Sequence, residues 1–113
     1  MLTLLLLLAL DGRTYARVPL EKLKDWTRPR AEVCGPVVYV RKQQDRDIHV
    51  TLDNGKAKIV LEIIPSLPLP APHKGQIVVA RGIVRIDRGH GGWAELHPVE
   101  ALRVVARCHQ SVP

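Results

Sequence analysis

Apolar and polar residues alternate most cleanly between Asp47 and Ile64, in the stretch DIHVTLDNGKAKIVLEII. Two alternating runs flank Asn54-Gly55, a dipeptide that tolerates the positive φ angles of a type I′ turn, so the pattern predicts a β-hairpin. With Asn54 and Gly55 as a two-residue turn, Asp53 pairs with Lys56 and Asp47 with Glu62. One face then carries Ile48, Val50, Leu52, Ala57, Ile59, Leu61 and Ile63, and the other Asp47, His49, Thr51, Lys58, Val60 and Glu62, because side chains alternate across a strand. The apolar face must cover a core. On the polar face Asp47 and Glu62 oppose each other, two like charges that repel unless a cation joins them.

The remaining pattern is also β-rich. Ala31 to Lys42 reads as a long strand with Gly35-Pro36 inside it, where glycine permits a bend and proline forbids a ladder bond. Gln43 to Arg46 is a polar loop. Pro65 to Gly75 is proline-rich and predicts an extended crossing, not a helix. Gln76 to Asp87 is a second long β run with Gly82 in its middle, and Arg88 to Gly92 is a glycine-rich turn. Trp93 to Val105 is a last strand, with a break expected near Pro98.

Before the first strand, residues 13–30 form a connector. Pro19 suits the first turn of a short helix whose thin apolar stripe is Leu20, Leu23 and Trp26; the alternative is an irregular linker. Residues 1–12 are an apolar leader, MLTLLLLLAL followed by Asp11-Gly12. It is too short to span a bilayer as a helix, but its length suits the apolar core of a secretory signal. The usual preceding positive charge is missing. The alternatives are an apolar segment packed on the domain or a misplaced start codon. The organisation expected is therefore leader 1–12, connector 13–30, barrel 31–108 and tail 109–113. Export to the periplasm or cell exterior is the first expectation, and a cytoplasmic location the second.

Composition narrows this only a little. The 113 residues suffice for one domain. Net charge is +6, with six Lys/Arg against three Asp/Glu in the first 30 residues and eleven against eight afterwards, so the excess is spread along the chain. A basic balance favours nucleic acid or another anionic surface as partner, although it also serves plain solubility. The aromatic residues are Tyr15, Trp26, Tyr39 and Trp93, with no Phe, which matters because single-strand binders stack bases on rings. Cys34 and Cys108 match no metal-binding spacing. They are either two thiols or one disulfide closing the domain.

Five short strands with glycine kinks in the long ones suit a small closed barrel. Val33-Cys34-Gly35-Pro36-Val37, followed by Ile77-Val78-Val79-Ala80-Arg81-Gly82-Ile83-Val84, resembles the paired strand motifs of OB-fold domains of the anticodon-binding type. That resemblance covers roughly residues 31–106. It implies an all-β, five-stranded Greek-key barrel of the OB type, here with an N-terminal apolar leader and a short helical or irregular connector. Many OB folds place a helix between the third and fourth strands; the prolines of this chain forbid one there. A closer likeness rests on Asp47-Ile48-His49, Glu62-Ile63-Ile64-Pro65, Asp87-Arg88-Gly89-His90-Gly91 and Glu95-Leu96-His97-Pro98-Val99. These segments resemble a pattern in uncharacterised bacterial OB-like proteins, many with export signals. The likeness implies a fold and an extracytoplasmic location, and no mechanism.

On an OB barrel the outer face of the second and third strands, with the adjacent loops, binds oligonucleotides or sugars. Around that face the sequence sets Arg41, Lys42, Arg46, Lys58 and Arg88, cations that can neutralise phosphates, with Trp93 and Tyr39 available for stacking if they point outward. By usual burial each ring belongs in the core. A rival cluster is rich in acid and imidazole: Asp47, His49, Glu62, Glu95 and His97 converge if the last strand lies beside the third, with Asp87 and His90 on the nearby loop. Imidazole with carboxylate suits a divalent metal or acid–base chemistry. The same residues also make a polar network tying three strands together. Either His49, His97, a divalent ion or an arginine of the fourth strand (Arg81 or Arg85) supplies the positive charge. Three functions remain open. The first is a binding module for single-stranded nucleic acid or another polyanion. The second is an accessory domain for a divalent metal or a protein partner. The third is a small metal-dependent hydrolase.

Overall fold

The computed structural model describes residues 14–87, 92–109 and 112. The leader 1–12 and the loop residues Arg88 and His90 lie outside the described residues. In chain order the elements are β1 (Ala16–Arg17), a 3₁₀ helix (Leu20–Asp25), β2 (Arg30–Lys42), β3 (Ile48–Asp53), β4 (Lys58–Ile63), β5 (Ile77–Asp87) and β6 (Trp93–Val105). The sheet runs β1-β2-β3-β4-β6-β5, and β2 also pairs with β5, which closes a five-stranded barrel. The β4–β6 pairing is parallel, and β1 lies parallel to β2 as a two-residue edge.

Closure depends on the bend in β2. Its first half, Arg30 to Pro36, pairs with β5; its second half, Val37 to Lys42, pairs with β3. Pro36 lacks an N–H and sits where the strand changes partner, followed by a register shift between Val37 and Tyr39. Gly82 does the corresponding work in β5. A β-carbon there would stand 2.5 Å from the Pro98 carbonyl oxygen and 3.1 Å from Leu96 Cβ, so only glycine lets β5 and β6 approach this closely. The register of that pair shifts on either side of Gly82. β6 is a single strand through Pro98, and the irregularity expected there takes the form of these register shifts, in which β6 carries the extra residues.

The hairpin register differs from expectation. Asp53 pairs with Lys58 and His49 with Glu62, leaving four residues, Asn54–Ala57, in the turn. Gly55 takes a positive φ of 86°, but Asn54 does not, so the turn is not type I′. Side-chain acceptors explain the longer loop. Asn54 Oδ1 accepts from the backbone N–H groups of Lys56 and Ala57 at 2.9 and 3.0 Å, and Asp53 Oδ1 accepts from Gly55 at 2.8 Å. A shift of two residues keeps every side chain on its predicted face. Val50, Leu52, Ile59, Leu61 and Ile63 are buried in the core.

The connector also contributes to the core. Leu20 and Leu23 are three residues apart, the period of a 3₁₀ helix, and so share one side of it, while Trp26 follows at the extended C-cap. Val18, Leu20 and Leu23 are buried in the main cluster, while Trp26 packs against it and donates from Nε1 to the Arg30 carbonyl at 3.0 Å. Residues 64–76 contain no helix, as their prolines require, and Leu69 packs on the core. Cys34 and Cys108 form a disulfide with Cα atoms 5.5 Å apart, pinning the segment after β6 to β2. Among the described residues no buried side-chain polar atom lacks a hydrogen-bond partner, and no helix is long and apolar enough to cross a membrane.

Candidate functional site

Strand register places the outward-facing residues in three rows. One row runs Tyr39, Thr51, Val60, Glu95 and Arg85 across β2, β3, β4, β6 and β5. A second carries Arg41, His49 and Glu62, with His97 one step further by the parallel β4–β6 pairing. The third carries Asp53 and Lys58, with Asp87 and Trp93 paired beyond them. The face therefore spans every strand of the barrel. Both rings usually assigned to a core point to solvent here: Tyr39 is 55% exposed and Trp93 41%.

Between these rows lies a groove of about 490 Å³, lined by Arg41, Gln43, His49, Val60, Asp87, Trp93 and Glu95. Val60 is apolar, Trp93 offers a flat ring, Gln43 and His49 offer hydrogen bonds, and Arg41 offers a cation. Of the other predicted cations, Lys42 shares with Arg41 a neighbouring hollow formed by residues 41–45. Lys58 stands on the far side of Trp93, in a hollow beside the 3₁₀ helix. Arg46 is exposed, with a positive φ of 73°, and lines a separate hollow with Ile48, Ile63 and Leu69, away from the groove.

Beside the groove the predicted polar residues join in one network. His49 Nε2 is 3.0 Å from Glu62 Oε1, and His97 Nδ1 is 2.6 Å from Glu62 Oε2. Arg85 Nε lies 3.3 Å from Glu95 Oε1, and Arg85 NH1 lies 2.9 Å from His97 Nδ1. Glu62 and Glu95 are buried, while His49 and His97 are half-buried. One nitrogen cannot both donate to Glu62 and accept from Arg85. We assign the proton to Nδ1, donated to Glu62, because 2.6 Å suits a charge-assisted bond and the guanidinium already has Glu95. Burial pushes the Glu62 carboxyl above the ordinary carboxylate range, and a hydrogen bond with Asp47 pushes it the same way; the His49 and His97 imidazoles pull it back. The partners of the two carboxylates are thus two imidazoles on Glu62 and the Arg85 guanidinium on Glu95. Arg81 is elsewhere: it joins Arg17 around buried Glu32, at 3.0 and 2.9 Å.

Ligand atoms of Asp47, His49 and Glu62, and separately of Glu62, Glu95 and His97, lie within 4.8 Å of one another. Tetrahedral zinc with bonds of about 2.1 Å needs donors roughly 3.4 Å apart. The donor types fit a divalent ion, and holding one requires the donors to rearrange, since His49–Glu62 at 3.0 Å and His97–Glu62 at 2.6 Å are closer than that spacing.

Fold and face together define an OB-fold domain. The Pyrococcus horikoshii asparaginyl-tRNA synthetase shares the fold at a TM-score of 0.66 and 17% identity over 88% of this chain and 24% of that one. Telomere capping protein Ten1 from Saccharomyces pombe aligns at 0.61 and 14% identity over 85% and 86% of the two chains. The Escherichia coli hypothetical protein ygiW aligns at 0.58 and 17% identity over 80% and 90%. The chain thus spans about a quarter of the length of the synthetases and most of the length of the two small proteins. No family model matches the chain, and no curated protein does.

Proposed function

We propose that this domain binds single-stranded nucleic acid in the groove between Arg41 and Trp93. The observation that carries the reading is the outward Trp93, set in the groove opposite Arg41 over an apolar floor at Val60. A base stacks on the indole, His49 and Gln43 meet its polar edge, and Arg41 with Lys42 meets the backbone phosphates. Tyr39 in the adjoining row extends the platform. Supporting the same reading, two structural neighbours carry names tied to tRNA and to telomeres. The Cys34–Cys108 disulfide and the apolar leader support work in an oxidising compartment outside the cytoplasm.

Fluorescence anisotropy with a labelled oligothymidylate tests this. Binding should weaken steeply with added salt. Trp93→Ala should weaken it by roughly 5- to 150-fold, the worth of about 1–3 kcal/mol of stacking per base. Absence of binding at low salt would overturn the reading.

A second reading is favoured by the Asp47, His49 and Glu62 donors, which fit a divalent ion. In it, Glu62 Oε1, Asp47 and His49 hold the metal while His97 orients Glu62 through its other oxygen. Zinc should then raise the melting temperature of the wild type and not of His49→Ala. Equal melting with zinc and with chelator would exclude this reading.

A further inference from the structure

The groove does not end at Trp93. The indole also lines a second hollow of about 360 Å³, bounded by the 3₁₀ helix, the turn between β3 and β4 and the start of β6. Three lysines converge on it from separate elements: Lys24 from the 3₁₀ helix, Lys56 from the turn and Lys58 from β4. All three are exposed, and among the described residues none has an ion-pair partner. The one acid in the lining, Glu21, accepts from Asn54 Nδ2 at 3.3 Å, which latches the helix to the turn and fixes the walls of the hollow. Leu20 and Ile59, both buried, anchor those walls from inside.

The opposite end of the groove is also cationic. Arg41 and Gln43 line both the groove and the hollow of residues 41–45, which Lys42, Gln44 and Asp45 complete, Asp45 accepting from the Asp47 backbone N–H. Three hollows therefore share walls in series. Arg41 and Gln43 join the first to the second, and Trp93 joins the second to the third. Cations stand at both ends of this track. The Trp93 ring, an imidazole and a valine occupy the middle together with two acids, Asp87 and Glu95, the second of which is held by Arg85. That order matches a polyanion whose bases fill the centre and whose phosphates reach both ends.

Building on the proposed nucleic-acid reading, we infer that Lys24, Lys56 and Lys58 form a second phosphate-binding subsite. A bound strand passes over Trp93 and continues toward the 3₁₀ helix. The site is then longer than the groove, and the connector before the barrel is part of it.

The test measures binding of labelled oligothymidylates of about 4, 8 and 12 nucleotides, within the usual site sizes of an OB fold, to the whole chain over a range of salt. The variants are Lys24→Ala/Lys56→Ala/Lys58→Ala, the same triple change to Arg, and a charge-matched control, Lys74→Ala/Arg103→Ala/Arg107→Ala, outside the track. In the alanine triple variant the salt slope of the long oligomer should fall by about 2, since each phosphate contact on a single strand contributes about 0.7. The affinity gain from short to long oligomers should disappear with it. The arginine variant and the control should keep both, and thermal melting of each variant checks its fold. A wild type that binds, with an alanine variant that keeps the full slope and length dependence, overturns the subsite and leaves the groove reading standing. An equal loss in the control also overturns it, by assigning the effect to net charge. A wild type that binds no oligomer overturns both.

Discussion

Replacing His97 with alanine probes the network beside the groove. His97 Nδ1 donates to Glu62 Oε2 at 2.6 Å, and Glu62 is only 7% exposed. The variant leaves a buried carboxylate with His49 as its remaining imidazole partner, 3.0 Å from the other oxygen. A hydrogen bond to a charged group is worth roughly 1.5–3 kcal/mol, and an unsatisfied buried acceptor costs a comparable amount. The His97 side chain is 28% exposed, so water enters the space and softens the loss. The expected destabilisation is about 2 kcal/mol. At roughly 4–8 °C per kcal/mol for a domain near this size, that is a fall of about 8–16 °C in melting temperature. A double-mutant cycle with Glu62→Gln separates the bond from simple loss of packing. In the Glu62→Gln background the same change should cost less than about 1 kcal/mol, because no carboxylate remains to be stranded. Equal losses in both backgrounds, or no loss in the wild type, would refute the argument that His97 acts through Glu62.

Three further outcomes follow from the same structure. Gly82→Ala forces a β-carbon to within 2.5 Å of the Pro98 carbonyl, so urea denaturation should show a loss of at least about 1–3 kcal/mol; an unchanged midpoint would mean that β5 and β6 separate freely. Glu62 has a folded pKa raised above its ordinary 4.5, so its contribution is fully present below that value and is lost as pH rises through the folded pKa. The wild type should therefore lose stability relative to Glu62→Gln as pH rises above about 4.5, and a difference independent of pH would contradict the assignment. The Cys34–Cys108 disulfide spans a sequence separation of 74, for which the chain-entropy relation gives about 4.5 kcal/mol; Cys34→Ala/Cys108→Ala should fall by up to that amount in urea, and no fall would count against the bond.

The barrel was legible because its strands obey a period of two, and the glycines and prolines mark where they bend. Gly35-Pro36 and Gly82 are the points at which β2 changes partner and β5 meets β6. The hairpin turn was misread because the Asn54-Gly55 rule describes backbone preference, and here the Asn54 and Asp53 side chains cap a longer loop. The network was legible from alternation combined with the strand order of an OB barrel, since Glu95 and His97 share a side of β6 and that strand lies beside β4. The outward Trp93 departs from the core placement expected of a large ring, because it lies on the same side of β6 as Glu95 and His97. Two features had no sequence signal. The strand at Ala16–Arg17 is too short to show a period. Lys24 reaches the track only because the 3₁₀ helix packs beside β4 and β6, a tertiary placement that no local pattern encodes.

The most direct test of a strand-binding face is residue-by-residue mapping by NMR. Backbone and indole signals would be followed while a short oligothymidylate is added at low salt. The predicted result is shifts concentrated on Tyr39, Arg41, Gln43, His49, Val60 and the Trp93 indole, reversed by added salt. Saturating oligomer with no shift at Trp93, or shifts centred on the Glu32–Arg81 side of the barrel, would contradict the account.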